Sequence, residues 1–361
     1  MLAYYLLFIL FVCFAILDDN LTAKSKHQIL IISGAILVLF AGLRGTNVDA
    51  DYSSYLNKFN NTPSISSLFT SPALFFSKMK VEPSMVIIFS FIKSIFRSGF
   101  PLAIFIYAFF SVTLKLRAIS KMTDYVMLST LIYFSGIFLL QDMTQIRAGF
   151  ATGFLLLSIP YILQQDFKKF SIYILIAICF HYSAIIFAPF YFFNTKKVNK
   201  PLYFSILIIP IILALLKFTP FNILNQFNLG IYSEKINLYL IGQAWERRSI
   251  NIFNFSILFQ IAVSIFFILF SEKANNKYAV LLTKINCFGV AMFYIFSSSP
   301  VLAFRLSDIL GIVQILLVPY MIHIIKPKAL AESVVILISI AYLLNQTLIN
   351  PILKPYTFIF N

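Results

Sequence analysis

The sequence predicts an all-α, polytopic transmembrane helix bundle. Of its 361 residues, 60% are hydrophobic and only 11% are charged, and the mean hydropathy is +0.90. Soluble domains are about 45–50% apolar and about 25% charged. The apolar residues gather into repeated stretches of about 17–25 residues, the length at which a helix spans a bilayer. A transmembrane β-barrel would instead show segments of about ten residues with alternating polarity.

About twelve spans follow from the apolar stretches and from the basic residues between them. Short cytoplasmic loops are rich in Lys and Arg. The six basic clusters all reach the cytoplasm only if segment 83–98 stays interfacial or re-entrant and segment 168–194 crosses twice, with a break near His181. The clusters are Lys24/Lys26, Lys115/Arg117/Lys121, Lys168/Lys169, Lys196/Lys197/Lys200, Lys273/Lys277 and Lys326/Lys328. The other spans are predicted near 2–17, 28–43, 100–117, 124–140, 147–163, 201–217, 249–270, 278–296, 302–325 and 330–350.

The whole chain, 1–361, is predicted to be a single integral membrane domain. Both termini and the long loops 44–99 and 218–248 are then external. The net charge of +15 is attributed to cytoplasmic loops, and no basic block with interleaved aromatic residues indicates a nucleic acid partner. The three cysteines lack the spacing of metal ligands. We therefore expect no metal, no other cofactor and no nucleic acid.

With this orientation, the unusual polar residues all fall on the external side. They are Arg44, Asp49, Asp51, Asp142, Gln145, Arg147, His181, Glu246, Arg247, Arg248 and Arg305. A transporter usually places ionisable residues near the bilayer midplane. Clustering at one face therefore favours a site that acts at the membrane surface.

Five of these residues have a functional interpretation and a simpler one. Arg147 lies at a predicted helix start, where an anion is favoured and the guanidinium fork matches phosphate oxygens; the simpler interpretation is that it extends to the membrane interface. His181, in CFHYSA, carries an imidazole, a side chain that suits a base, or is a hydrogen-bonded core residue. Arg305 is a second candidate anion ligand, or forms an ion pair with Asp308. Arg247 and Arg248 end the second external loop, as anion ligands or as a solvated edge.

The segment LRGTNVDADYSSY, residues 43–55, contains the carboxylates Asp49 and Asp51 in D-x-D spacing. Such a pair can hold a divalent cation with phosphates, supply a base, or simply be solvated. Tyr52 and Tyr55 suit stacking on sugar rings or an aromatic belt at the membrane interface. The residues alone leave these alternatives open.

The order of the motifs resembles the EpsG family of bacterial exopolysaccharide proteins, related in role to the Wzy polymerases of O antigen and capsule. That family has an Arg and then G-T-D-Y-x-x-Y after its second span. The resemblance covers roughly residues 1–325. The matching segments are Arg44, Asp49-Ala50-Asp51-Tyr52 with Tyr55, Glu82-Pro83-Ser84-Met85, Ile146-Arg147-Ala148-Gly149-Phe150-Ala151, Phe180-His181-Tyr182-Ser183-Ala184 and Phe304-Arg305-Leu306. Asp49, Ala50 and Ala148 depart from the family pattern, so the roles of those side chains do not transfer, and Asp49–Asp51 is not interpreted as a metal site.

The resemblance implies a glycosyltransferase of the bacterial cytoplasmic (inner) membrane, with its active site facing the exterior. It would transfer a growing glycan from undecaprenyl pyrophosphate to an incoming lipid-linked repeat unit. The leaving pyrophosphate needs its charge stabilised and the acceptor hydroxyl must lose a proton. The expected roles are Arg147 and Arg305 at the pyrophosphate, Arg44 with Arg247 or Arg248 in support, His181 or Asp51 as base, and Tyr52 and Tyr55 along the sugar path. Asp51 has the alternative role of orienting Arg44 or Arg147.

Besides the oligosaccharide on undecaprenyl pyrophosphate and membrane lipid, the implied partners include a chain-length regulator and a flippase. Three alternative functions share these features. They are a lipid-linked glycan ligase, a polyprenyl-dependent glycosyltransferase that uses a metal, and a polysaccharide transporter or flippase.

Overall fold

The computed structural model describes residues 1–77, 81–217 and 250–360. The chain forms two compact units, Met1–Phe192 with Val318–Asn361, and Phe193–Leu317, and each is described by itself. Seven helical stretches of the described residues are long and apolar enough to cross a membrane, and five shorter apolar helices accompany them. The predicted polytopic helical bundle is therefore confirmed. The single-domain organisation stays a prediction, and loop 218–248 lies outside the described residues.

Each predicted span coincides with a helix. The first unit contains α1 (Leu2–Leu17), α2 (Ala23–Gly42), α3 (Tyr52–Asn61), α4 (Pro83–Ile95), α5 (Phe100–Met122), α6 (Val126–Asp142), α7 (Ile146–Leu163), α8 (Phe167–Phe180), the 3-10 helices Tyr182–Phe192 and Val318–His323, and, after the second unit, Lys328–Leu344. The second unit contains α9 (Lys200–Leu215), α10 (Phe255–Phe270), α11 (Ala279–Ile295), α12 (Pro300–Gly311) and the short helix Gln314–Leu317.

The chain reverses at His181, as the loop charges predict. Helix α8 ends at Phe180, His181 has extended backbone, and the 3-10 helix Tyr182–Phe192 follows. The ring of Tyr191 lies 5.0 Å from that of Phe167, so the far ends of the two helices meet. We call this antiparallel pair the His181 hairpin. Each helix is about 21–22 Å long, which is shorter than the ~30 Å hydrocarbon core.

Helix α4 packs one face against α5. Its apolar residues recur at helical spacing, and Met85, Phe89 and Ile92 are buried in a core cluster with Tyr107 of α5. Pro83 at the first turn has no N–H to leave unpaired and fixes the helix start. The opposite face exposes Ile87, Phe91 and Ile95. This 13-residue helix matches the predicted segment 83–98; whether it is interfacial or re-entrant stays a prediction.

The start of α1, the end of α2 and the C-terminal tail meet at one end of the first unit. The Tyr4 hydroxyl donates to the carbonyl of Lys354 at 3.0 Å. The N–H of Gly45 donates to Thr357 O at 2.8 Å, and the N–H of Lys354 donates to Val48 O at 2.9 Å. The N-terminus and the described C-terminal tail therefore share one end, as an even number of spans requires. Which side of the membrane this end faces stays a prediction.

Two glycines allow α7 to approach its neighbours closely. A Cβ atom on Gly149 would lie 2.8 Å from the backbone oxygen of Gln141, and one on Gly153 would lie 2.7 Å from the Cβ of Leu114. Small residues at such positions permit close helix packing. Gly149 thereby brings the first turn of α7 against the end of α6.

The second unit has a neutral polar network between its helices. Asn286 of α11 donates to Ser264 Oγ of α10 at 2.9 Å, and its Oδ1 accepts from Gln314 at 3.0 Å. Ser307 of α12 donates to Gln260 Oε1 at 2.9 Å. Such interhelical hydrogen bonds satisfy polar groups that would otherwise be buried without partners.

Replacing Gly153 with alanine should destabilise the protein, because the new methyl group meets the Cβ of Leu114, which moves only with its helix. The expected cost is about 1–3 kcal/mol, seen as a melting temperature several degrees lower for the detergent-purified protein. Gly136→Ala is the matched control, since its Cβ would stand 3.5 Å from the ring of Tyr342, an ordinary contact. Equal melting temperatures for the two variants would contradict the close α5–α7 contact.

Candidate active site

A single carboxylate, that of Glu82, joins three distant parts of the first unit. One oxygen accepts a hydrogen bond from Arg147 Nη1 in the first turn of α7. The other lies 3.1 Å from His181 Nδ1 at the tip of the His181 hairpin. Glu82 itself immediately precedes Pro83, the first residue of α4. We call these three residues the Glu82 cluster.

The Glu82 cluster is largely removed from water. The side chains of Glu82 and His181 are 5% and 9% exposed, whereas Arg147 keeps 18%. Charges in such a setting interact more strongly than in water. Arg147 is the most exposed member of the cluster.

Glu82 is ionised at neutral pH. Burial on its own raises the pKa of this carboxyl, but the His181 hydrogen bond and the positive charge of Arg147 outweigh burial and lower the pKa to about 2. A carboxylate this acidic is a poor base at neutral pH. Its role is to hold and orient Arg147 and His181.

The ionised carboxylate fixes the tautomer of His181. Because an ionised carboxylate only accepts hydrogen bonds, Nδ1 must carry the proton. A neutral His181 then keeps its lone pair on Nε2. This buried nitrogen has no hydrogen-bond partner among the described residues, and neither does Nε of Arg147. A carboxylate that orients an imidazole in this way is the arrangement that prepares a general base.

Tyr55 packs beside Arg147, with the guanidinium carbon 5.9 Å from its ring centroid. The residue is only 3% exposed, and burial raises the pKa of its hydroxyl to about 12, although Arg147 acts in the opposite direction. Tyr52, also 3% exposed, lies next to Arg44, at 5.9 Å from ring centroid to guanidinium carbon. The two tyrosines that were predicted to line the path of the sugar therefore both pack against arginines.

Arg44 is fully buried and forms an ion pair with Asp49. Its Nε donates to Asp49 Oδ2 at 2.8 Å, and its Nη1 donates to the carbonyl of Ala41 at 2.6 Å. The other Asp49 oxygen accepts the backbone N–H of Asp51 at 3.0 Å. This geometry closes the turn between α2 and α3 and gives Arg44 a structural role.

Asp51 is half-buried at the residue that precedes α3. Direct contacts hold both arginines, because Asp49 binds Arg44 and Glu82 binds Arg147. That Asp51 orients one of the two arginines stays a prediction. The C-terminal tail pairs with the turn at Arg44 and at Asp49. The sequence offers no signal for this distant pairing.

The site roles of the remaining predicted arginines stay predictions. Arg305 is half-buried on α12, in the second unit. Arg247 and Arg248 lie outside the described residues. The structure thus brings together Arg147, His181 and Tyr55.

A second buried ion pair supports the turn that contains Arg147. Lys115 Nζ, fully buried on α5, donates to both oxygens of Asp142 at 2.8 and 3.0 Å, to Ser111 Oγ at 2.9 Å and to the carbonyl of Gly149 at 2.8 Å. Tyr133 also donates to Asp142, at 2.9 Å. Lys115 thereby joins both sides of the turn from residue 142 to residue 149.

This ion pair corrects the topology argument at one point. The sequence analysis placed Lys115 in a cytoplasmic cluster and Asp142 on the external side, yet their side chains are in direct contact. Lys115 lies about two turns before the end of α5, in the helix and not in the loop. A count of loop charges does not distinguish a solvated lysine from one that is paired inside the bundle.

Sequence reasoning gave no role to Glu82, the central residue of the cluster. It was noted as part of the motif Glu82-Pro83-Ser84-Met85 and not as a site residue. One signal was present: Glu82 is the only acidic residue between Tyr52 and Thr123. An isolated acid that directly precedes a proline and an apolar helix is a candidate partner for intramembrane cations.

An apolar cavity of about 340 Å³ lies next to the Glu82 cluster. Its walls are Ile87, Ile88, Phe91 and Ile92 of α4, Ile106 and Phe110 of α5, and Phe150 and Phe180. Phe150 follows Arg147 by one turn, and Phe180 directly precedes His181. The rings of Phe150 and Phe180 touch, with centroids 3.9 Å apart. A charged site therefore borders a cavity that suits hydrocarbon.

The helix lengths, the hydropathy and the paired intramembrane charges define a polytopic helical membrane protein with a buried polar site. The chain belongs to the EpsG family, whose profile matches residues 27–358. It is also similar to the amylovoran biosynthesis protein AmsC of Erwinia amylovora, with 23% identity over 211 residues. The matched stretch covers 56% of this chain and 56% of that relative. No solved structure matches the chain.

Removing one partner of the Lys115–Asp142 pair should destabilise the protein strongly. Lys115→Met leaves a buried carboxylate without its cation, which typically costs about 3–5 kcal/mol. The double variant Lys115→Met/Asp142→Leu removes both charges and should recover much of the loss. Thermal melting of the purified proteins tests this order. A double variant no more stable than the single one would contradict the paired arrangement.

Glu82 should make stability depend on pH in acid. Its pKa in the folded state, about 2, is below the ordinary value of 4.5, so its stabilising effect is present above about pH 4.5 and is lost as pH falls towards 2. We expect Glu82→Gln to melt several degrees below the native protein at pH 7, with a smaller gap at pH 3. Glu272→Gln, at an exposed position, is the control. A gap that stays constant between the two pH values would count against an ionised Glu82.

Proposed function

We propose that this chain polymerises lipid-linked oligosaccharide repeat units, as a Wzy-type glycosyltransferase of exopolysaccharide biosynthesis. The growing glycan would leave its undecaprenyl pyrophosphate and join a sugar hydroxyl of an incoming lipid-linked unit. The reaction would take place at the outer face of the bacterial cytoplasmic membrane. Membership in the EpsG family supports this function, as does the similarity to a protein of amylovoran biosynthesis.

The observation that carries the proposal is the Glu82 cluster. It combines a partly exposed arginine at a largely buried site with a histidine. The contact of Nδ1 with Glu82 fixes the tautomer of this imidazole, and its Nε2 has no hydrogen-bond partner among the described residues. Glycosyl transfer from a pyrophosphate needs these two groups: a donor that stabilises the departing negative charge and a base for the acceptor hydroxyl. One oriented carboxylate holds both.

His181 Nε2 takes the proton of the acceptor hydroxyl while that oxygen forms a bond to the anomeric carbon of the growing glycan. The bond from this carbon to the pyrophosphate oxygen breaks, and its electron pair leaves with the pyrophosphate. Arg147 stabilises the charge on that group. Glu82 stabilises the imidazolium that forms, and the proton then passes from His181 to solvent or to the released pyrophosphate.

The apolar cavity beside the cluster supports a lipid-linked substrate. Its walls are the hydrocarbon and aromatic surfaces of α4 and α5 together with Phe150 and Phe180, which suit the first isoprene units of a polyprenyl chain. Arg147 stands one helical turn from Phe150, so a pyrophosphate on Arg147 would direct its chain into this cavity. Arg305, Arg247 and Arg248 stay proposed as further anion ligands, and Asp51 stays proposed as a second candidate base.

The structure favours the polymerase over a metal-dependent transferase that uses the D-x-D pair. Both Asp49 oxygens are engaged, one by Arg44 and one by the backbone of Asp51. A ligase that transfers finished polymer would use similar groups, and the phenotype distinguishes the two. Loss of a polymerase leaves single repeat units attached to the acceptor, and loss of a ligase leaves none. A chain-length regulator and a flippase are the proposed partners.

Polymer formation in the producing strain should depend on Arg147 and His181. Arg147→Ala should lower the polymerisation rate by about 10²–10³-fold, by analogy with removal of a preorganised anion contact. Arg147→Lys should recover only part of it, because a lysine lacks the guanidinium fork. His181→Gln should also abolish long chains. Gel analysis of polymer length, with immunoblots for equal protein levels, measures all three.

Arg97→Ala, at an exposed arginine of the same unit, is the matched control and should make normal polymer. If both Arg147→Ala and His181→Gln still made undiminished long-chain polymer, the proposed site would be wrong.

A further inference from the structure

We propose that the first unit binds an anionic membrane phospholipid in a groove between α2 and α5. One acyl chain would lie in the apolar part and the phosphate at Arg117. The groove encloses about 580 Å³, within the range of lipid and ligand sites. Its apolar walls include Leu30, Ala35, Val38, Phe105, Phe109 and Leu116, and its polar end has His27, Arg117 and Ser120. This α2–α5 groove uses a different face of α5 from the cavity beside the Glu82 cluster and does not depend on the proposed function.

The polar residues of the groove share one end because the two helices run antiparallel. A Cβ on Gly42 would lie 3.1 Å from Phe105 Cα, and one on Gly34 would lie 3.0 Å from Leu116. From Gly42 to Gly34 the contacts move backwards along α2. From Phe105 to Leu116 they move forwards along α5, so the two helices are antiparallel. Continuing this register brings His27 to the level of residues 120–123, at the end of α5 and about one to two turns beyond Arg117.

The groove has the length of one lipid tail. Its lining residues extend from His27 to Leu39 on α2, about 18 Å, and from Phe105 to Ser120 on α5, about 22 Å. One leaflet contributes about half of a ~30 Å hydrocarbon core. A chain that starts at the polar end therefore finds apolar wall along its whole depth in the leaflet.

Charge at the polar end identifies the headgroup. Arg117 lines the groove, and exposed Lys24 and Lys121 lie in the adjoining first turn of α2 and last turn of α5. Neither Asp nor Glu is found among the described residues that line the groove, so nothing there offsets this positive charge or attracts a cationic headgroup. Basic pockets between transmembrane helices recognise anionic lipid headgroups, and the arginine fork matches phosphate oxygens.

The experiment compares two lipids with identical acyl chains on the purified full-length chain. Native mass spectrometry in detergent would measure binding of phosphatidylglycerol and of phosphatidylcholine. We expect phosphatidylglycerol to bind about tenfold more tightly. Arg117→Gln should remove this preference, and Ala35→Trp, which fills the groove from an exposed position, should weaken binding of both lipids. Inorganic phosphate at millimolar concentration should not compete.

Two matched controls separate the groove from general effects of charge and bulk. Arg97→Gln removes an exposed arginine elsewhere in the unit, and Ile32→Trp places the same indole side chain at an exposed α2 position outside the groove. Both should bind as the native chain does, and all variants must melt normally without lipid. Equal binding of the two lipids by the native chain would overturn the proposal. So would a loss confined to Arg117→Gln, because the lipid would then lie outside the groove, or competition by free phosphate.

Discussion

The carboxylate of Glu82 is the interaction on which the candidate site depends. Arg147 and His181 are 34 positions apart in the sequence, and Glu82 precedes both by more than 60, yet one side chain binds both. An unpaired charge inside an apolar bundle costs several kcal/mol. The three residues are therefore stable there only as a set, and the packing of α4, α7 and the His181 hairpin has to bring them together. The site is consequently a product of the tertiary fold and not of any one element.

The Lys115–Asp142 pair gives this site its rigidity. The ammonium group contacts Asp142 on one side of Arg147 in the sequence and the carbonyl of Gly149 on the other. Because Gly149 has no side chain, the first turn of α7 lies directly against the end of α6. Arg147 thus projects from a backbone segment that is fixed at both ends. Positioning of this kind lets a charged group stabilise a transition state with little reorganisation.

The sequence predicts the helices and the reversal at His181 because both depend on properties that can be counted along the chain. Apolar length determines which segments can span, and the parity of basic loops requires a break within 168–194. The pairing of charges cannot be counted in this way, because the partners are brought together only by the tertiary fold. Lys115 was counted in a cytoplasmic basic cluster, since a positive charge looks the same in the sequence whether it is solvated or buried. Glu82 was given no role because its partners lie on other elements. The sequence likewise does not show that Asp49 is the partner of Arg44, because the C-terminal tail that pairs with the turn at Arg44 and Asp49 is distant in the sequence.

The break at His181 matters both for the fold and for the proposed chemistry. An irregular backbone at membrane depth is tolerated only where its polar groups are satisfied or face protein or water. At this tip they are satisfied, because the N–H of His181 donates to the carbonyl of Ala177 at 2.8 Å and its own carbonyl accepts from Ala184 at 2.9 Å. The extended residue therefore leaves its backbone paired while its imidazole turns to Glu82. Among the residues that the structure describes, Nε2 has no hydrogen-bond partner, and this is the atom that the proposed reaction needs free.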